Sequence, residues 1–295
     1  MKQLGLRILI CCLGLGFVPG VNAETVTIAY LQDGLSELQK TEKQVAFKLW
    51  AEELTGKGKF EVVILPVTTM SRMSALIKAK AVNFAILNTV HFLNHRDELQ
   101  EYFDRTIWAV QRTASLYEEY IVVTGKEKNI EKIAQLAGKR FSIAKDRLLM
   151  NFYLDYLILK AGYPVSAGFF KKVKETYTAS QAVLDVFFGK SDACIVPKHV
   201  FDMAVELNPS IMERLKIIHR SGANFIPVLI IGSVFNSDFV NSVLSDSINK
   251  IHDSPRGEQI IDLLKIHSAV VIGPEQLAMM SSIYSDYRRL SGSGR

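Results

Sequence analysis

Short apolar runs that alternate with polar residues recur along the chain, and helical patterns separate them. Residues 24–31 (ETVTIAYL) and 59–67 (KFEVVILPV) have the β-rich composition that predicts strands. Between them, residues 39–57 place apolar side chains at the helical period and end at Gly56. Strands that alternate with helices in this way predict an α/β fold with a mainly parallel sheet.

The same alternation continues towards the C-terminus. No Pro-rich or Ser-rich linker interrupts the chain, so any two lobes must be joined by ordered strands. Further strands are predicted at residues 82–87, 117–125, 169–178 and 225–235, and further helices at 129–138, 148–162, 241–266 and 275–290.

One pattern occurs twice, at residues 68–87 and 177–196. Each copy reads as a helix, capped by Thr69 or Ser71 in the first copy, followed by a strand that stops at a turn. Any two helix–strand units could look alike, or two similar α/β lobes could face each other. In open α/β sheets, ligands bind beyond the carboxyl ends of the strands. Two such edges would enclose a cleft, as in a binding protein that closes about a hinge.

The N-terminus has the features of a secretory signal peptide. Lys2 and Arg7 precede an apolar core over residues 8–18, and the segment ends in Val21-Asn22-Ala23. Cleavage is expected after Ala23, so residues 1–23 would be removed and the protein would be periplasmic. The alternative of a membrane anchor is weaker, because the apolar core is shorter than a spanning helix requires.

The remaining composition excludes several classes of protein. The sequence is 48% hydrophobic and 22% charged, as in ordinary globular proteins. Its net charge of +5 falls to +3 without residues 1–23, which is too small to indicate nucleic-acid binding. Only Cys194 then remains, so no disulfide can form within the chain. Its apolar surroundings (DACIV) favour an inert buried thiol over a catalytic one.

Four stretches together resemble a known family: TIAYLQD (27–33), VNFAILNTVHFL (82–93), residues 120–144, and YTASQAVLDVFFGKSDACIV (177–196). They are similar to the phosphonate/phosphite-type periplasmic substrate-binding proteins of ABC importers. The resemblance implies the type II periplasmic binding-protein fold, an α/β fold of two lobes with mainly parallel sheets. It places the first lobe at residues 24–120 and 222–295, and the inserted second lobe at 123–221.

The sequence departs from this family where the anion is usually held. A Ser-Thr-Ser run at the start of a helix is replaced by KDRLLMN (145–151), which brings Lys145 and Arg147. The family histidine in the second repeat is replaced by Gln181, next to Ser180, and a tyrosine of the first lobe is replaced by Phe92. The expectation of the fold survives these changes, whereas the expectation of phosphonate binding does not survive intact.

Other candidate ligand-binding residues come from position in the chain. Asn88 and Thr89 end a strand beside a turn, and Tyr30 ends the first strand, where it could face a cleft or pack in the core. Lys145 and Arg147 could pair with an anionic ligand or lie in solvent. Ser180 could cap a helix, contact a ligand, or do both.

No catalytic, cofactor or metal site is predicted. His91 and His95 lie four residues apart, but no third ligand has suitable spacing. We therefore expect a solute-binding protein that captures a small anionic or polar organic ligand for an ABC permease. The alternatives are a sensory module for a membrane receptor, an enzyme or precursor-binding protein on the same fold, like the thiamine-precursor synthases, and a scaffold that binds no ligand.

Overall fold

The computed structural model of the protein describes residues 24–32, 45, 49, 53, 60–145, 148–164, 168–238, 251–264 and 266–292. The predicted signal peptide, most of the predicted helix at 39–57 and the first half of the helix at 241–266 lie outside these residues. Strands and helices alternate along most of the described chain. The strands are β1 (Glu24–Leu31), β2 (Phe60–Val67), β3 (Phe84–Asn88), β4 (Phe103–Gln111), β5 (Glu118–Gly125), β6 (Arg140–Ala144), β7 (Lys172–Thr176), β8 (Ala193–Pro197), β9 (Leu215–Phe225), β10 (Val228–Ser233) and β11 (Ser268–Ile272).

The helices lie mostly between consecutive strands. They are α1 (Met70–Lys78), α2 (Thr89–Leu99), α3 (Leu148–Lys160), α4 (Ala179–Phe187), α5 (Lys198–Leu207), α6 (Ser210–Arg214), α7 (Pro255–Leu264) and α8 (Ala278–Leu290). Short 3₁₀ turns occur at Lys126–Lys128, Ile133–Leu136, Ile251–Asp253 and Pro274–Leu277.

The strands form two sheets, which confirms the two-lobed α/β prediction. The first lobe is built on a six-stranded sheet in the order β11-β4-β10-β3-β1-β2, and the second on a five-stranded sheet in the order β7-β6-β8-β5-β9. The expectation of mainly parallel sheets needs correction, because both sheets are mixed. Only β2-β1-β3 and β7-β6-β8 pair in parallel; β10, β4, β11, β5 and β9 all pair antiparallel.

Strand β1 is an interior strand of the first sheet, and both of its faces are covered. Ile28 and Tyr30 belong to the apolar cluster on one face, whereas Ala29 and Leu31 belong to the cluster on the other. Side chains of a strand point alternately to its two faces, so a strand with helices on both sides must be apolar almost throughout. This double burial explains why the pattern TIAYL lacks a regular polar alternation.

The two copies of the repeated pattern fold into equivalent units, which supports the reading of two similar lobes. In each, a nine-residue helix (α1 or α4) precedes a five-residue buried strand (β3 or β8). Thr69 caps α1 by accepting from the Arg72 amide at 3.3 Å, and Thr178 caps α4 by accepting from the Gln181 amide at 3.2 Å. A left-handed residue ends each helix: Lys80 (φ 56°) or Gly189 (φ 68°).

A polar side chain just before β3 and β8 fixes each unit to the neighbouring strand. Asn83 Oδ1 accepts from the Thr27 backbone amide at 2.8 Å, and the Asn83 backbone amide donates to the Thr27 carbonyl at 2.8 Å. Asp192 Oδ2 accepts from the Arg140 amide at 2.9 Å, and its amide donates to the Arg140 carbonyl at 2.8 Å. The same two-bond link therefore sets the register of β1 against β3 and of β6 against β8.

The chain passes between the lobes at three places in the described residues. Residues 111–118 join β4 to β5, residues 225–228 join β9 to β10, and residues 277–280 join the 3₁₀ turn after β11 to α8. Leu277 is buried in the core of the first lobe, whereas Met280 is buried in the core of the second. Helix α8, which the family resemblance assigns to the first lobe, therefore packs on the second. The boundaries at residues 120 and 222 stay predictions.

The Asp192–Arg140 link generates a pH-dependent prediction. Two side-chain bonds from Arg140, at 2.8 and 3.2 Å, lower the pKa of Asp192 from 3.8 to about 2. A depressed pKa means that the ionised carboxylate stabilises the fold above pH 4 and loses this effect as the pH falls through about 2. We expect Asp192→Asn, which keeps the oxygen acceptor as Asn83 does, to cost about 1 kcal/mol at pH 7, since Arg140 is partly solvated.

Urea denaturation of the two proteins between pH 7 and pH 2.5 measures this difference. It should narrow steadily below pH 4. A difference that is constant across this range would contradict the assignment of the effect to the carboxylate charge.

Candidate functional site

The carboxyl ends of the parallel strands define one edge on each lobe. On the first lobe, β3 ends at Asn88, where α2 begins. On the second lobe, β6, β7 and β8 end at Ala144, Thr176 and Pro197. Ligands of open α/β sheets bind at such edges, where strand ends and helix N-termini present free polar groups. These two edges are therefore the candidate ligand site.

Asn88 is a buried polar residue at this edge of the first lobe. Its Oδ1 caps α2 by accepting from the His91 amide at 2.9 Å, and the residue is only 3% exposed. Its Nδ2 is buried and has no hydrogen-bond partner among the described residues. A buried donor without a partner costs about 1–3 kcal/mol, so this amide is expected to meet a ligand or water.

Thr89 bonds this edge to residues 225–228, the second of the three segments that join the lobes. Its hydroxyl donates to the Ile226 carbonyl, and its amide donates to the Pro227 carbonyl at 3.3 Å. Because the hydroxyl is fully buried and already bonded, Thr89 positions Asn88 rather than offering a donor of its own. The end of β3 is thus attached to the backbone that links the lobes.

The edge of the second lobe is tied together by backbone and hydroxyl groups. The Lys145 amide donates to the Thr176 carbonyl at 2.8 Å, and the Thr176 hydroxyl donates to the Thr178 carbonyl at 2.8 Å. Gln181 Oε1 accepts from the Tyr177 backbone amide at 3.0 Å, and the Gln181 backbone amide donates to the Thr178 hydroxyl. Thr178 therefore caps α4, and the Gln181 side chain holds the residue that precedes the cap.

The structure separates the sequence-predicted site residues into two groups. Lys145, Ser180 and Gln181 are exposed at the edge of the second lobe, and Arg147 lies outside the described residues. Asn88 and Thr89 are buried at the edge of the first lobe. The predicted cap at Ser180 is wrong, because β7 ends at Thr176 and Thr178 becomes the first residue able to cap α4.

The two aromatic candidates of the first lobe lie in its interior. Tyr30 is fully buried among the side chains on one face of the sheet, and burial raises the pKa of its hydroxyl. Phe92 is 5% exposed and packs in the cluster on the opposite face. This burial favours the core alternative for Tyr30 and indicates a packing role for Phe92.

A buried charged cluster lies beside residues 111–118, the first segment that joins the lobes. This cluster was not predicted from the sequence. The Arg112 guanidinium Nε lies 3.9 Å from Glu118 Oε1, and both side chains are at least nine-tenths buried. The Tyr120 hydroxyl donates to Glu118 Oε2 at 3.1 Å, and the Tyr120 ring packs 4.9 Å from that of Phe225. The sequence signal was weak, since charges around a break between two strands are usually solvated.

Several other chemistries find no support among the described residues. No group of three or more His, Cys, Asp or Glu side chains there could hold a metal ion. None of the helices in the described ranges is long and apolar enough to cross a membrane. Cys194 is fully buried, and burial raises the pKa of its thiol, which confirms the expectation of an inert cysteine.

The family model for the periplasmic phosphonate substrate-binding proteins of ABC transporters matches residues 35–277. The chain belongs to this family. The match confirms the resemblance carried by the four stretches, and it makes the molecule a periplasmic solute-binding protein, the substrate-binding component of a transporter. No protein with a curated description matches the sequence.

Solved structures share the fold of this solute-binding protein at low sequence identity. A binding-protein component of an ABC phosphonate transporter from Pseudomonas aeruginosa is 11% identical with a TM-score of 0.63, covering 93% of this chain and 90% of its own. PhnD1 of Prochlorococcus marinus, in complex with methylphosphonate, is 16% identical with a TM-score of 0.60, covering 89% and 97%. The aliphatic sulphonate binding protein SsuA of Escherichia coli is 13% identical with a TM-score of 0.51, covering 90% and 87%.

The Arg112–Glu118 pair of the solute-binding protein is expected to behave as one unit. Removing one partner leaves the other charge buried alone, so Arg112→Met should destabilise the fold by about 3 kcal/mol. Adding Glu118→Gln removes that lone charge and keeps an oxygen for the Tyr120 hydroxyl. We therefore expect the double variant to recover most of the loss in urea denaturation. Equal and additive losses from the two single changes would show that the groups do not interact.

Proposed function

We propose that the protein captures a small anionic or polar organic solute between its two lobes and delivers it to an ABC importer. The observation that carries the proposal is the buried Asn88 Nδ2 without a hydrogen-bond partner at the carboxyl end of β3. A donor buried at a strand edge suits an oxygen of a bound solute. Membership of the family supports the transport role.

The charge at the candidate site supports an oxyanion as the solute. Lys145 is exposed at the end of β6, and the N-termini of α2 and α4 lie at the two edges. Helix N-termini carry partial positive charge, which favours anions. The fold relatives include proteins for phosphonate and for sulphonate, so the ligand is a phosphonate or a related oxyanion held by an amide and by charge rather than by a Ser-Thr-Ser run.

The solute leaves this protein chemically unchanged. The family is one of periplasmic substrate-binding proteins of transporters, which supports this part of the proposal. When the lobes close, the chain bends near residues 120 and 222, and α8 moves together with the second lobe. A sensory module would bind the ligand without delivering it to an importer, and an enzyme on this fold would consume the ligand in a turnover assay.

Export should remove residues 1–23. The charged start, short apolar core and Val21-Asn22-Ala23 are those of a cleavable signal, and the first described strand begins immediately afterwards at Glu24. Intact-mass measurement of protein from the periplasm should give the mass of residues 24–295. Retention of Met1, or a lipid attached at Cys12, would contradict this localisation.

Asn88→Asp separates ligand binding from folding. Aspartate keeps the oxygen that caps α2 but replaces the Nδ2 donor with a second acceptor, which repels an anion. In a thermal-shift screen against methylphosphonate, phosphite, sulphonates and carboxylates, a ligand at 100 times its Kd should stabilise the wild-type protein by about 2.7 kcal/mol. The variant should bind that ligand at least about 10-fold more weakly, as expected for a hydrogen bond to a charged group.

Asn88→Ser, which keeps a capping oxygen and a shorter donor, provides the matched control for stability. It should fold with a similar melting temperature and retain part of the affinity. Equal affinity of Asn88→Asp and wild type for an anion would remove Asn88 from the site. Stabilisation by none of the probes would contradict the proposed ligand class.

A further inference from the structure

Helix α2 of the first lobe packs on two helices of the second lobe. It begins directly after Asn88, at the ligand edge, and contacts both α3 and α8. Val90 and Leu93 of this helix pack against the core of the second lobe, and Leu93 also packs against the core of the first. Side chains of α2 therefore join the two cores, in addition to the three segments that carry the chain between the lobes.

A hydrogen bond fixes α2 to α8. The Tyr284 hydroxyl donates to Asn94 Oδ1 at 2.6 Å, and the Tyr284 ring lies 6.1 Å from that of Phe152 on α3. Tyr284 is buried, and its burial raises the pKa of the hydroxyl, which therefore stays a protonated donor at neutral pH. Asn94 is exposed on the other side of the bond. We call Leu93, Asn94 and Tyr284 the interlobe latch.

The latch must change when the lobes move relative to each other. Helix α2 is attached to the first lobe, because it follows β3 directly and buries Phe92 and Leu99 in that core. Helix α8 is attached to the second lobe, where Met280 and Tyr284 are buried. A donor and an acceptor about 3.6 Å apart no longer form a hydrogen bond, so a displacement of α8 from α2 by about 1 Å breaks the bond from Tyr284 to Asn94.

The arrangement that the latch holds leaves the ligand edge of the second lobe uncovered. Lys145, Ser180 and Gln181 at this edge are all exposed. A closed cleft buries most of the surface of a small ligand, so it also covers the residues that line it. The observed latch therefore belongs to the open arrangement of the proposed binding protein, and each of its contacts favours the open state over the closed one.

We propose that the interlobe latch regulates the affinity of the protein for its solute, by holding the lobes open until the solute binds strongly enough to break it. This rests on the proposed function, because it requires a solute that binds the closed state. The apparent affinity for a solute falls in proportion to the fraction of molecules in the binding-competent state. Contacts in the latch lower that fraction, and so they lower the affinity without touching the solute.

Tyr284→Phe and Asn94→Asp should change the affinity for methylphosphonate, measured by calorimetry, in opposite directions. Phenylalanine keeps the ring beside Phe152 but removes the donor, and water can satisfy the exposed Asn94. The affinity should therefore rise about 5-fold, the effect of one hydrogen bond on an equilibrium constant. Aspartate keeps the acceptor and adds a charge that strengthens the bond from Tyr284, so the affinity should fall at least about 2-fold. A merely structural role would not give opposite signs.

Distances between spin labels test the latch without any ligand. Cys194 is fully buried, so in the mature chain labels attach to Ala75→Cys and Leu184→Cys, at exposed positions on α1 and α4. In the ligand-free protein, the population with the shorter distance should be about 5-fold larger in Tyr284→Phe than in wild type. Tyr287→Phe is the matched control, because the Tyr287 ring packs 4.9 Å from Phe152 within the second lobe. It should leave both the distances and the affinity unchanged.

The two measurements separate the latch from the proposed function. Identical distance distributions for Tyr284→Phe and wild type would overturn the latch, as would weaker binding by Tyr284→Phe at an unchanged melting temperature. A shift in the distances without binding of methylphosphonate or any other anion of the screen would support the latch and contradict the proposed function alone. In the Tyr284→Phe background, Asn94→Asp should no longer affect the affinity. An equal effect there would overturn the assignment of Asn94 to the latch.

Discussion

The arrangement of the molecule depends on how the chain crosses between two separately built sheets. At the first crossover, Arg112 and Glu118 are buried on either side of the link, and neither charge could be left alone there without a large desolvation cost. At the second, Thr89 bonds to the carbonyls of Ile226 and Pro227. The candidate ligand edge and the junction of the lobes are therefore the same piece of structure. In the proposed function, a solute that contacts Asn88 would lie one residue away from Thr89, which is bonded to the segment that joins the lobes.

The helix–strand unit that occurs once in each lobe has some features that are the same in both lobes and others that differ. The caps, the polar links at Asn83 and Asp192 and the five-residue strands are retained, since they set register and helix entry. The ends of the strands differ: Asn88 supplies a capping side chain in the first lobe, whereas Pro197 begins α5 without one in the second. The exposed helix faces differ as well. Residues that build the unit are similar, and residues that face outwards are free to serve separate roles.

Much of the fold could be predicted because it depends on local patterns. The strands at 24–31 and 117–125 and the helix at 148–162 have strong periodicity, and their observed bounds fall within two residues of the expected ones. Strand β4 was missed because Asp104, Arg105 and Thr106 interrupt its apolar pattern. The antiparallel pairing of β5 and β10 was missed because pairing direction depends on how distant segments return, which local sequence does not encode. The third crossover, at α8, was missed for the same reason.

The candidate site was less predictable than the fold. Asn88 followed from its place at the end of a strand, but its unpartnered amide depends on burial by other segments. Tyr30 could have faced either side of β1, and only the packing of both sheet faces assigns it to the interior. Ser180 was predicted as a cap because the preceding strand was predicted to continue through residue 178, whereas β7 ends at Thr176 and Thr178 caps α4.

The position of α8 has a consequence for the order in which the molecule is completed. Met280 and Tyr284 are part of the core of the second lobe, although the last strand of that lobe, β9, ends at Phe225. Tyr284 also donates to Asn94 of α2 at 2.6 Å and so joins both lobes. A chain that is synthesised N-terminus first cannot complete the core of its second lobe until nearly all of its residues have been made. Such long-range closure is slow, and it leaves an apolar surface of the second lobe uncovered during most of synthesis.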